Sequence, residues 1–288
     1  MIPYYIFAWI ASTSAALTIL TSKFTSKYAI KNPWLFNFLW MFVVLLFTIP
    51  SSLANHAGLP HAWGFIFLAS LFAVLWNIFF ILSLYRLDVS TLSPLFNFRS
   101  VFAVILGVIL FNEHLSSQQF VFFIAIFIAG IFATIDEKFD LRVFFRSSTL
   151  IGILAMLFLA INNVLIKFVM AQNDVWTGNL WMSIITFLML IPTIPLFRKE
   201  LTKIRFKQIL PVGGMGILQT ITNVTANIAY GVNVGITSLI MAVPVSFILV
   251  FFLSLFVPSL LEKHTIKVYV VRFSAALVMI YFAVRLTS

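Results

Sequence analysis

The chain has 288 residues, 62% of them hydrophobic and 9% charged, with a net charge of +10 and no cysteine. An ordinary soluble domain carries about 25% charged residues, so a water-soluble globular fold is excluded and a polytopic membrane protein is expected. Without cysteine there is no disulfide framework, thiolate metal site or cysteine nucleophile. The basic balance points to topology rather than to a nucleic-acid partner, because membrane loops are rich in Lys and Arg.

A membrane helix needs about 20 apolar residues, and windows bounded by Pro, Asn, Gly and charge clusters divide the chain into ten such spans. They run near 3–23, 33–52, 63–85, 90–112 and 117–135, then 149–171, 176–197, 208–230, 235–258 and 266–286. The longest connections, "DEKFDLRVFFRSS" and "FRKELTKIRFK", are short charged linkers, so function must lie within the bundle.

Taken in chain order, the first span carries Ser14, Thr18 and Thr21 at i, i+4 and i+7, and the third contributes Asn77. The fourth, "STLSPLFNFRSVFAVILGVIL", holds Arg99 near its middle. A charge at the bilayer centre costs roughly 2.5 to 3.5 kcal/mol on insertion scales unless water, a partner or a ligand compensates it. Ser90, Ser93, Asn97 and Ser100 form one stripe, and Arg99 projects roughly 140° away from it on a regular helix. Pro94 can kink the preceding turn, but Asn97 lies beyond the kink and still opposes Arg99. Either Arg99 packs against carbonyls and amides of a neighbouring helix, or it faces a cavity while the serine stripe meets a helix.

In the sixth span Asn163 and Lys167 share a face, with Asn162 adjacent. In the eighth, Gly216, Gln219, Asn223, Asn227 and Tyr230 fall within roughly 80° of one another. Small and amide residues also glue helices together, but Gln219, Asn223 and Asn227 on one face exceed that need and predict a cavity lining. The "VGGMG" run at Val212 predicts close helix packing.

The eight carboxylates (Asp88, Glu113, Asp136, Glu137, Asp140, Asp174, Glu200 and Glu262) all fall at span ends or in loops. Arg99 therefore has no predicted acidic partner, and no mid-membrane carboxylate is placed to carry a proton or bind a cationic drug. Glu113 and Glu262 read as solvated or structural groups at helix ends. His56, His61, His114 and His264 lie in loops without metal-ligand spacing, and no hydrolase or phosphate-loop motif occurs. No cofactor, metal or catalytic residue is expected.

The halves echo each other in order. "TSKF" at Thr21 recurs as "LIKF" at Leu165, "NFLWM" ending at Met41 as "GNLWM" ending at Met182, and Pro50, Asn77, Tyr85 and Glu113 meet Pro192, Asn223, Tyr230 and Glu262. Each predicted unit, 1–140 and 141–288, holds five spans, so the second must thread the membrane in the opposite sense. The expected fold is all-α, ten transmembrane helices as two inverted five-helix repeats, with a substrate site at the midplane between them.

The stretch "LYRLDVSTLSPLFNFRSVFAVILGVILFNEHLSSQQFVFFIAIFIAGIFA" resembles the fourth and fifth helices of an EamA domain of the drug/metabolite transporter superfamily. The matching features are the short polar turn, the small residues opening the helix, the Glu at Phe111-Asn112-Glu113-His114-Leu115 and the closing "AGIFA". "YGVNVGITSLIMAVPVSFILVFFLSLF" with "LEKHT" resembles the same pattern in the second half. The resemblance implies a ten-helix carrier whose first, third and fourth helices, with their second-half equivalents, line a central cavity. Arg99 departs from the resembled pattern, in which that position is apolar or small.

The sequence therefore points to an integral membrane carrier, in the cytoplasmic membrane of a prokaryote, moving a small polar metabolite by alternating access. Substrate-binding residues are expected at Arg99, Asn163, Lys167, Gln219, Asn223, Asn227 and Tyr230, with Asn77 and Asn162 behind them. A cationic cavity without an acid favours an amino acid or organic anion. The alternatives are an exporter of amphipathic compounds, a lipid-linked sugar flippase, or a non-transporting membrane subunit. The partners expected are that small molecule and membrane lipid. Basic residues concentrate in connections after odd-numbered spans, from Lys23 to Lys267, against little but Arg285 opposite, which puts both termini outside the cytoplasm. The resembled family implies both termini inside. "MIPYYIFAWI" has no positive n-region, so no cleaved signal peptide is expected.

Overall fold

The structure, a computed structural model, describes residues 2–86, 89–112, 115–132, 147–243, 245, 249 and 266–285. Among the described residues every regular element is helical. The first half supplies α1 (Tyr4–Phe24), α2 (Pro33–Ala54), α3 (Trp63–Arg86), α4 (Val89–Phe111) and α5 (Ser117–Phe132). The second supplies α6 (Ser147–Gln172), α7 (Val175–Leu190), the short α8 (Arg198–Leu201), α9 (Phe206–Val232), α10 (Val234–Ala242) and α11 (Ile266–Arg285). Each predicted span thus contains a helix. Most of the predicted ninth span lies outside the described residues, as do Asp88, Asp136, Glu137, the repeat boundary at 140, Glu113, His114, Glu262 and His264.

Local chemistry accounts for where the helices begin. Asn32 caps α2, its Oδ1 accepting from the N–H groups of Trp34 at 3.0 Å and Leu35 at 3.3 Å. Pro33 sits at the first helical position, where its missing N–H leaves no bond unmade. Asp174 caps α7 in the same way, accepting from Trp176 and Thr177 at 2.9 Å each, and Asn233 caps α10 through the Ile236 N–H at 2.7 Å. Past Leu190, Pro192 and Pro195 remove backbone donors, and the chain tightens into a 3₁₀ turn over Ile191–Leu196.

Five segments are long and apolar enough to cross a membrane: Tyr4–Phe24, Pro33–Ala54, Trp63–Arg86, Thr149–Gln172 and Val175–Leu196. Phe96–Phe111 and Ser117–Phe132 are shorter apolar helices. Their outer faces carry large apolar side chains such as Leu46, Phe67, Ile109, Phe120 and Leu188, all exposed. Water would not tolerate so wide an apolar surface, whereas hydrocarbon would. Several hydroxyls are satisfied by carbonyls of their own helices, as the absence of water in a bilayer favours. Thr18 donates to the Ser14 carbonyl at 2.9 Å, and Ser70 to the Ile66 carbonyl at 2.7 Å.

Packing is most extensive between α3 and α6 and between α1 and α9, followed by α4 on α6, α5 on α11, α2 on both α7 and α9, and α10 on α4. Helices of the first half therefore pack chiefly on helices of the second. The α2–α9 approach depends on Gly216, where an added Cβ would collide with Val43, while Gly213 and Gly214 have open space. Only the last glycine of "VGGMG" thus serves the close packing expected of the run.

Hydrogen bonds also tie the halves at both ends of α2. At its start, Gln208 at the head of α9 donates to the Ala29 carbonyl at 2.7 Å, and Asn32 donates to Glu200 at 3.1 Å. The Tyr85 hydroxyl donates to the Ile30 carbonyl close by. At its far end, the Gly58 N–H donates to Thr177 at 2.9 Å, Trp181 Nε1 to the Gly58 carbonyl at 2.8 Å, and the His61 N–H to Asn173 at 2.9 Å.

Candidate functional site

Between these two ends lies a cavity of about 170 Å³, lined by α1, α2, α3 and α4 from the first half and α6, α7, α9 and α10 from the second. Of the nine residues singled out in the sequence, Asn77, Arg99, Asn162, Asn163, Gln219, Asn223, Asn227 and Tyr230 line it. Lys167 does not. Its ammonium sits 4.5 Å from the centre of the Phe111 ring, one turn beyond Asn163 and outside the lining.

The second-half wall is an amide network. Asn163 donates to the Tyr230 hydroxyl at 2.9 Å, Asn227 to Asn179 Oδ1 at 2.8 Å, and Gln219 to Asn223 Oδ1 at 2.7 Å. Asn162 reaches across to the Ala69 carbonyl of α3 at 2.8 Å, and Asn77 donates to the Ala73 carbonyl at 2.8 Å. A backbone carbonyl can only accept, so it fixes which way the Asn77 and Asn162 amides turn and leaves each one carbonyl oxygen and one N–H for other partners.

The first-half wall is aromatic. Trp76 and Phe80 pack with ring centres 4.5 Å apart, Phe96 lies 5.9 Å from Phe80, and Trp40 lies 6.5 Å from Phe80 on the other side. Arg99 stands beside this wall, its guanidinium carbon 5.9 Å from the Phe96 ring centre. The residue is 5% exposed, and its Nε and Nη2 have no hydrogen-bond partner. Trp40 Nε1 is likewise buried without a partner. Among the described residues no carboxylate lines the cavity. A cation sealed from bulk water without a counter-ion is costly, by several kcal/mol in order of magnitude.

The two alternatives for the fourth span are resolved by its neighbours. Asn97 presses on α5, where an added Cβ on Gly130 would strike its amide, and Ser100 donates to the Ser238 carbonyl of α10 at 2.9 Å. That stripe serves helix contacts, and Arg99, projecting the other way, lines the cavity. The side chains of Ser90 and Ser93 lie outside the described residues.

Sequence reasoning missed Trp40, Trp76, Asn179 and Ser183 in the lining. Asn179 carried a signal, being the amide of the repeated "GNLWM". The tryptophans carried none, since aromatic residues in an apolar run read equally well as core or lipid-facing groups. Arg272 was also missed. It is 4% exposed within α11, and a charge inside an apolar span was the same signal that marked Arg99.

A helical bundle with lipid-compatible outer faces and a polar cavity between its halves is the architecture of a membrane transporter. Residues 2–135 match the family described as the EamA-like transporter family. That stretch, the first five helices, carries the EamA-like match, and the apolar helices on either side of residue 135 make the chain an integral membrane protein. A solved structure described only as "Crystal structure of protein" is similar over 99% of this chain and 98% of its own, with a TM-score of 0.69 at 15% identity. At that identity the likeness concerns the fold alone. No curated protein matches the sequence.

Proposed function

We propose that the protein is a secondary transporter that moves a small metabolite bearing an anionic group, an organic anion or an amino acid, by alternating access. The observation that carries this reading is Arg99, a buried cation on the cavity lining with no acidic neighbour there among the described residues. A substrate anion would supply the missing charge. The amides and Tyr230 would orient the substrate's remaining polar groups.

The ten-span, two-repeat architecture, with units 1–140 and 141–288, is part of this proposal. Its support is the packing pattern, which survives an exchange of halves. Advancing each span by five converts the α1–α9 pair into α6–α3 and the α2–α9 pair into α7–α3, and all four are contacts in the bundle. The two sets of terminal hydrogen bonds exchange as well. The α1–α2 connection bonded to the connection before α9 becomes the α6–α7 connection bonded to the one before α3. Rocking the halves would open one set while the other holds. The proposal includes residence in a prokaryotic cytoplasmic membrane, with both termini outside because loop charges set orientation.

The aromatic wall favours one second reading, export of amphipathic compounds. Uptake into liposomes of the purified full chain, tested across anions, zwitterions and cations, separates the two. Anion-selective uptake that collapses in Arg99→Ala is the expected result, and a cation preference retained in that variant would overturn it.

A further inference from the structure

The geometry points to a compact monocarboxylate as substrate, its two oxygens held by the Nε–Nη2 edge of Arg99 and its apolar body lying against Trp76, Phe80 and Phe96. This rests on the transport reading above and narrows its substrate class. Nε and Nη2 share one edge of the planar guanidinium, and they are the two Arg99 nitrogens left buried without a partner. Their parallel N–H bonds match the spacing of a carboxylate's oxygens, the fork-to-fork pairing that a lysine ammonium cannot make. In this conformation the edge is buried away from the cavity surface. Rotation about the terminal bonds of the side chain would turn it toward a ligand.

Charge selects among anions. One guanidinium, with no acid in the lining among the described residues, is neutralised by one negative charge. A phosphate monoester brings about −1.5 to −2 at neutral pH and would leave an excess anion in a low-dielectric site. Size selects among carboxylates, because an apolar void of roughly 150 Å³ admits benzene and this cavity measures about 170 Å³. A benzoate-sized body fits, whereas a lipid-linked sugar does not. The wall beside Arg99 is three mutually packed rings, so the substrate's body next to its carboxylate should be largely apolar.

The test uses the purified full chain in nanodiscs, with binding of benzoate, benzamide, phenyl phosphate and acetate followed by thermal shift and tryptophan fluorescence. Benzoate is expected to bind at least about tenfold tighter than benzamide or phenyl phosphate. Arg99→Lys, which keeps the charge and loses the fork, should weaken benzoate at least about tenfold, and Arg99→Gln should bring benzoate and benzamide to equal affinity. Phe96→Leu leaves the cation in place and should weaken benzoate more than acetate, which keeps the wall testable should the Arg99 variants misfold. Phenyl phosphate binding as tightly as benzoate, undiminished benzoate affinity in Arg99→Lys, or equal weakening of benzoate and acetate by Phe96→Leu would each overturn the inference. Arg99-dependent binding of another anion with benzoate inert would overturn it and leave the transport reading standing. Anion binding indifferent to Arg99→Gln would overturn both.

Discussion

Where the first half of the chain meets the cavity it presents Trp40, Trp76, Phe80, Phe96 and Arg99; where the second half meets it, Asn162, Asn163, Asn179, Gln219, Asn223 and Asn227. The amides have spent donors on protein acceptors, as in the Asn227–Asn179 and Asn163–Tyr230 bonds. The unpartnered buried donors of the lining, on Arg99 and Trp40, lie on the aromatic side. The matching sequence motifs of the two halves are used differently. Trp40 of "NFLWM" lines the cavity with its indole N–H unused, while Trp181 of "GNLWM" donates to the Gly58 carbonyl at one end of the bundle. A shared motif does not fix a shared role: the surroundings of each tryptophan decide whether it lines the cavity or latches the ends.

This division of labour can be broken first at Arg99. Arg99→Met should reduce anion uptake by at least about a hundredfold, because the interaction lost is a charge-assisted one in a low-dielectric site. The same substitution should stabilise the ligand-free protein by about 1–3 kcal/mol, since it removes an uncompensated buried charge. Uptake assays and thermal unfolding should thus move in opposite directions, and a joint loss would show that Arg99 is structural.

Phe80→Ala on the aromatic side should cost about 3–5 kcal/mol of stability, as truncation of a fully buried ring does, Phe80 being 1% exposed. On the amide side, Asn227→Ala leaves Asn179 Oδ1 without its donor and should cost about 1–3 kcal/mol in the same unfolding assay. If the amide substitution proved the more damaging, the second half would be the structural keystone and the contrast would reverse.

The smallest effect is expected outside the membrane, at the cap of α7. Burial would push the Asp174 carboxyl up, but hydrogen bonds from the Thr177 side chain and from the backbone at Thr177, Trp176 and Asp174 itself outweigh it and hold the group below the ordinary carboxylate value of 3.8. The unfolded chain therefore binds this proton more readily than the folded one. The contribution to stability is fully present above that ordinary value and is lost as pH falls through the lowered folded one. Asp174→Ala should cost about 1 kcal/mol near neutrality, and the difference from the unsubstituted protein should vanish in acid, a comparison made by unfolding at several pH values.

Apolar run length and capping residues made the helices legible, because Asn32, Asp174 and the prolines act through their own few neighbours. Periodicity made the Gln219–Asn223–Asn227–Tyr230 face legible for the same reason. What it could not supply was the partner of each face. Asn163 and Lys167 lie one turn apart on one side of α6, yet the lysine passes beyond the cavity to Phe111. Asn97 and Arg99 point apart on a helix, but which of them met α5 and which met open space depended on Gly130 and on the second half. Tertiary placement likewise separates Trp76 from any lipid-facing tryptophan of similar sequence context.

The hydrogen bonds joining the halves have an implication for how much sequence change the connections can absorb. Apart from Asn32–Glu200, each of those bonds uses a main-chain group on one side: the carbonyls of Ala29 and Gly58, and the N–H groups of Gly58 and His61. Those four contacts are blind to the side chains at positions 29, 58 and 61, so substitutions there can accumulate while the closure survives. Gly58 illustrates the limit. A Cβ at that position meets open space, which leaves alanine harmless, whereas proline would delete the N–H that Thr177 accepts. At positions 29, 58 and 61 these contacts constrain drift through backbone chemistry, and the residues that cannot drift sit opposite, at Gln208, Asn173, Thr177 and Trp181.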